Sequence, residues 1–176
     1  MKEIVSQILS QYFTKMRAPK IEELQIDEKY TSMTWCCFVT LYINWEVRWS
    51  AGNIKEIQTN IALELLDNTI QALTQDKRFL PLTLQESEKI QFRVDFISHR
   101  DMLSLKDISW CDPIKNGIIA IHRDYEKLAV VLPNISPKLM TWDDLLPVLW
   151  NKLKDKKIED KNYIFYKIET TVETNF

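Results

Sequence analysis

A chain of 176 residues with 45% hydrophobic and 27% charged side chains has the composition of a folded globular protein, which excludes intrinsic disorder. Its 23 basic and 25 acidic residues leave a net charge of −2, which argues against duplex nucleic acid as a partner, because phosphate contacts call for a basic excess. Gly52 and Gly117 are the only two glycines, so the Gly-rich phosphate loops of Rossmann and P-loop nucleotide enzymes are excluded, and no apolar run approaches the ~20 residues that span a bilayer.

The first element reads as a helix, with Ile4, Val5, Ile8, Leu9, Tyr12, Phe13 and Met16 forming one apolar stripe that Pro19 ends. Residues 18–33 are polar and read as a surface connection. A hairpin follows: Trp35 to Ile43 is rich in β-branched, aromatic and cysteine residues, Asn44 suits the turn, Val47 to Ala51 returns, and Gly52-Asn53 ends the strand. Adjacent Cys36 and Cys37 project to opposite faces of such a strand and Cys111 stands far off. The three therefore read as reduced thiols, with neither a disulfide nor a metal set among them. The opening Met-Lys-Glu leads into an amphipathic segment rather than an apolar leader, so the expected location is cytoplasmic.

From about Ile54 to Thr74 the period is helical again, and Pro81 marks the next loop. Glu88 to Ser98 alternates, with Ile90, Phe92, Val94 and Phe96 on one face and Gln91, Arg93 and Asp95 on the other; this predicts a half-solvated strand. Residues 99–116 read as irregular. Gly117 to His122 and Lys127 to Leu132 predict a second hairpin around Arg123-Asp124-Tyr125. Thr141 with Asp144 predicts a capped helix carrying Trp142, Leu145, Leu146, Leu149, Trp150 and Leu153, with Pro147 inside it and Lys152, Lys154, Lys156 and Lys157 gathered at its end. A last strand runs from about Tyr163 to Val172. Hairpins set between helices predict an α+β fold with an antiparallel or mixed sheet and about three main helices. Residues 1–176 are expected to form a single domain, with two closely packed lobes as the alternative.

Four stretches in this order carry a resemblance: Cys37-Phe-Val-Thr-Leu41 with Val47-Arg48-Trp49-Ser50-Ala51-Gly52; Asp76-Lys-Arg78-Phe79 with Pro81-Leu82-Thr83; Gly117-Ile-Ile; and Leu132-Pro133 with Trp142-Asp143. Together they resemble the AMMECR domain family, and the match extends over essentially the whole chain. The resemblance implies an α+β fold and a family of unsettled biochemical activity, whose members are associated with Memo-type and radical-SAM proteins. It also exposes a departure. The family's Leu-Arg-Gly-Cys-Ile-Gly reads Val47-Arg48-Trp49-Ser50-Ala51-Gly52 here, so a thiol position holds a hydroxyl and a bare backbone position holds an indole. A thiolate is nucleophilic near neutral pH, whereas a serine needs a neighbouring base.

The candidate binding residues are Arg48, Trp49, Ser50, Gly52 and Arg78. Arg48 offers a guanidinium for an anion, and Gly52 a bare backbone beside it. Arg78, just past a helix C-terminus, equally suits a structural cap. Ser50 as a nucleophile would require His99 or His122, and a two-histidine metal site would require Cys111 or Asp112 at spacings that match no ligand pattern. Trp142, Leu146 and Trp150 read as core. Exposed Trp45 and Trp49 would form a patch for a partner. The expected function is a non-catalytic binding or accessory module, without a cofactor. The alternatives are an enzyme or enzyme subunit in a modification pathway with Memo-type or radical-SAM partners, and single-stranded nucleic-acid binding by the lysine cluster with Tyr163, Phe165 and Tyr166.

Overall fold

A computed structural model of the chain describes residues 1–76, 84–155 and 158–176. The elements in order are α1 (Lys2–Lys15), β1 (Cys37–Ile43), β2 (Glu46–Gly52), α2 (Ile61–Gln75), α3 (Leu84–Ser87), β3 (Gln91–Leu103), β4 (Gly117–His122), β5 (Leu128–Val131), α4 (Trp142–Leu153) and β6 (Tyr163–Thr174), with short 3-10 turns at Ile21–Glu23, Glu28–Thr31 and Leu105–Trp110. The six strands hydrogen-bond in the order β2-β1-β3-β6-β4-β5. The fold is α+β, with three helices of more than ten residues among the described residues. By its contacts the chain divides into two compact units. The first is Met1–Phe96 with Val172–Phe176, and the second is Ile97–Thr171.

In the first unit most of the predicted apolar stripes become the core, while Met16 at the end of the first stripe is exposed. Ile4, Val5, Ile8 and Leu9 of α1 and Ile61, Ala62, Leu65, Ala72 and Leu73 of α2 cluster with Cys37, Val39 and Leu41 of β1, Trp49 of β2, and Phe92, Val94 and Phe96 of β3. Helix α1 ends where Met16 turns left-handed at φ 51°, ahead of Pro19. Helix α2 starts at Ile61 and not near Ile54, because the Asn60 side chain accepts the Leu63 N–H and caps it there. The preceding loop is stapled by a buried carboxylate: Glu64 accepts the backbone N–H groups of Ile57 and Gln58 and the side-chain amides of Asn53 and Asn68. Four donors on one buried acceptor offset the cost of removing it from water.

The face of β3 bearing Arg93 and Asp95 is buried, not half-solvated as alternation predicts. The period of a strand says which residues share a face, but not whether that face is covered. Strand β3 also runs on to Leu103 through residues that read as irregular, and its last stretch is exposed. Alternating hydrophobicity is lost there because Ser98 to Met102 are exposed, and only Leu103 packs back against a core.

In the second unit Ile118 and Ala120 of β4, Ala129 and Val131 of β5, Tyr163 and Phe165 of β6 and Leu145, Leu149 and Leu153 of α4 form a separate core, with Leu146 and Trp150 partly buried against it. Thr141 and Asp144 cap α4 reciprocally, and the Trp142 indole N–H donates to the Cys111 carbonyl at 2.7 Å. Tyr163 and Phe165 spend their rings in this core, which leaves Tyr166 as the one partly exposed ring of the three named as a stacking platform. Of the lysine cluster beside them, Lys156 and Lys157 lie outside the described residues. Both terminal strands are guarded at their outer edges by a charged side chain. Asp76 accepts the Ser50 N–H of β2 at 3.0 Å, and Lys152 donates to the Val130 carbonyl of β5 at 2.6 Å. A charge laid across a ladder group discourages pairing with another chain.

Candidate functional site

The hairpin of β1 and β2 organises every candidate of the first unit except Arg78, which lies outside the described residues. Its loop has two residues, Asn44 and Trp45, both with positive φ (51° and 66°), between the paired residues Ile43 and Glu46. This is the geometry of a type I′ turn, which matches the twist of the strands but favours glycine at the second position. Trp45 adopts it regardless and stands 56% exposed. Its ring meets that of Phe176 edge-on at 4.9 Å, and Phe176 in turn meets Tyr42.

Beyond the turn the register slips. Tyr42 faces Val47 and Leu41 faces Trp49, which leaves Arg48 as the extra residue of a β-bulge. The bulge turns Arg48 toward the side of Trp49: its guanidinium lies over the indole at 4.4 Å and within 3.6 Å of the Glu86 carboxylate. Trp49 itself is only 1% exposed and packs in the core with α2 residues. The patch of two exposed indoles therefore does not form. The strand delivers Trp45 to the surface and Trp49 to the interior.

Ser50 points to the opposite face of β2, where its hydroxyl is 3.1 Å from that of Thr40. Arg93 of β3 lies across from Thr40 on the far side and binds Asp95 through Nε and Nη2 at 2.8 and 2.6 Å. Thr40, Arg93 and Asp95 are all buried, and a bidentate pair held this way keeps both charges satisfied. Burial pushes the Tyr42 phenol of this face up to about 12. Chemically the row is a layer of paired polar groups. The hydroxyl beside Ser50 is not a base, Asp76 is engaged by the Ser50 amide and Asp95 by a guanidinium. Both histidines are residues of the second unit. There His99 meets Asp101 at 3.0 Å and His122 meets Asp124.

Gly52 is bare for a packing reason. A Cβ on it would come within 2.4–2.6 Å of the Phe38 ring and the Cys37 carbonyl, so the space that a ligand would need is filled by the cross-strand phenylalanine. Of the cysteines, Cys37 is fully buried with Asn68 donating to its sulfur at 3.5 Å, and desolvation pushes its thiol up to about 12, the opposite of an activated nucleophile. Among the described residues no group of three histidine, cysteine or acidic side chains could hold a metal. Next to the turn, Ile43, Asn44, Glu46, Val47 and Arg48 line a hollow of about 570 Å³.

The AMMECR1 family model matches residues 2–170. The chain belongs to the AMMECR1 family. Over 85 residues it is 39% identical to a Thermotoga maritima protein, a stretch that makes up 48% of each chain. Over 135 residues it is 30% identical to a Clostridium acetobutylicum protein, covering 76% of this chain and 27% of that one. The similarity thus spans half or less of the length of these relatives. The crystal structure of an uncharacterized protein, PH0010 from Pyrococcus horikoshii, superposes with a TM-score of 0.77 at 14% identity, over 96% of this chain and 86% of that one, which is a likeness of fold.

Within this AMMECR1 chain, sequence reasoning placed Arg48, Trp49, Ser50 and Gly52 on one strand, and the structure sends them to different places. It missed Thr40, Arg93, Asp95 and Asp76. One signal for the pair was present: opposite charges two apart on a strand share a face and can neutralise each other inside the protein. Among the described residues no helix is long and apolar enough to cross a membrane.

Proposed function

We propose that this AMMECR1 chain is a non-catalytic binding module that docks a protein partner through the tip of its first hairpin. Trp45 is the anchor, Arg48 stands at the flank, and strand β2, held in the core by the buried Trp49, is the support. One observation carries the reading: a large indole occupies a left-handed turn position that glycine fills without strain, and it is more than half exposed. Strain kept at an exposed aromatic is characteristic of a site selected for contact rather than for folding. The paired state of Ser50 and the raised thiol of Cys37 support the non-catalytic half of the reading.

The first partner to test is a Memo-type or radical-SAM protein from the same organism, the class that the family resemblance implies. A cytoplasmic setting accords with three free cysteines, and the reading needs no nucleic acid and no cofactor. Purified partner is titrated against the parent chain, Trp45→Ala, Trp45→Gly and the control Trp110→Ala, the last on the second unit's exposed tryptophan. Loss of a tryptophan hot spot weakens binding roughly thirtyfold or more, and both Trp45 variants are expected to show it while the control does not. Binding that survives Trp45→Gly overturns the assignment.

A further inference from the structure

We draw no further inference here: the strongest candidate, the side-chain cluster of His122, Asp124, Lys127, Asp155 and Tyr163 at the turn end of the β4–β5 hairpin, is spent on its own contacts, with His122 on Asp124 and the Tyr163 ring and with Lys127 and Tyr163 both on Asp155, and nothing in the structure shows a ligand that it would take.

Discussion

Trp45 and Trp49 lie on one hairpin and meet opposite fates. Trp49 sits on a strand position whose partner across the ladder is Leu41, and the alternation of β1 sends both into the layer under α2. Trp45 sits in the turn, where the chain has no face to share, and its indole is left in solvent against Phe176. Residue type is the same in both; register and turn geometry decide which one supports the fold. Trp49 and Ser50 are divided in the same way. The indole enters the core, and the hydroxyl turns to the polar layer of Thr40, Arg93 and Asp95. Two adjacent residues of one strand thus serve two unrelated faces.

The sharpest way to break this contrast is to remove the buried member. Trp49→Ala is expected to cost about 3–5 kcal/mol, the usual range for deleting a large buried aromatic whose site cannot collapse. Chemical denaturation of the purified variant reads it directly. A cost under about 1 kcal/mol, below even the small end of core truncations, would mean that the indole is not part of the core of the first unit.

Much of this was legible in the sequence and some was not. The hairpin, its Asn44 turn and the α1 and α2 stripes follow from period and turn chemistry, which are local. So does the start of α4, where Thr141 and Asp144 form both halves of the capping box that their spacing predicts. What escaped was non-local. The burial of Arg93 and Asp95 depends on what covers their face. The fate of Trp49 depends on a bulge at Arg48 that no single-strand pattern announces. The role of Gly52 depends on Phe38 of the neighbouring strand, brought opposite it by register. Arg78 belongs to the stretch outside the described residues.

A second cut tests the reason for Gly52. Gly52→Ala places a Cβ against the Phe38 ring and the Cys37 carbonyl, and overpacking of this kind costs about 1–3 kcal/mol. Pairing it with Phe38→Leu should recover only part of the loss, because the carbonyl is backbone and cannot swing away. Full recovery would assign the whole conflict to the ring. If Gly52→Ala were neutral, the bare position would need another reason, and a ligand approaching the backbone would return as the natural one.

The buried side of the hairpin also predicts a pH response. The Cys37 thiol and the Tyr42 phenol are each raised to about 12 by desolvation, so in the folded chain both keep their protons above the pH at which the unfolded chain loses them. The unfolded state then binds fewer protons, and stability falls as pH rises from about 9 towards 12, by at most about 1.4 kcal/mol per pH unit for each group. Below about pH 7.5, a unit or more under the ordinary thiol value, neither group contributes more than a small slope. Denaturation midpoints followed across this window should fall less steeply in Tyr42→Phe and in Cys37→Ala than in the parent chain, whatever the variants' stability at neutral pH. An unchanged alkaline slope in both would remove these groups as its cause.

The smallest expected effect is the one that separates anchor from scaffold. Trp45→Gly gives the turn a residue that accepts a φ of 66° freely, a gain of about 1 kcal/mol, and removes an edge-on ring contact with Phe176 worth about 0.5–1.5 kcal/mol. The two terms oppose each other and are similar in size, so the net change in stability should stay within about 1 kcal/mol, far below the cost at Trp49. A thermal melt beside the binding titration makes the comparison. Stability kept while partner binding is lost identifies an indole held at the tip for contact. A loss of more than about 2 kcal/mol, beyond what one ring contact supplies, would instead make Trp45 and Phe176 a structural clasp, and the tip would then have no residue that the fold could spare for a partner.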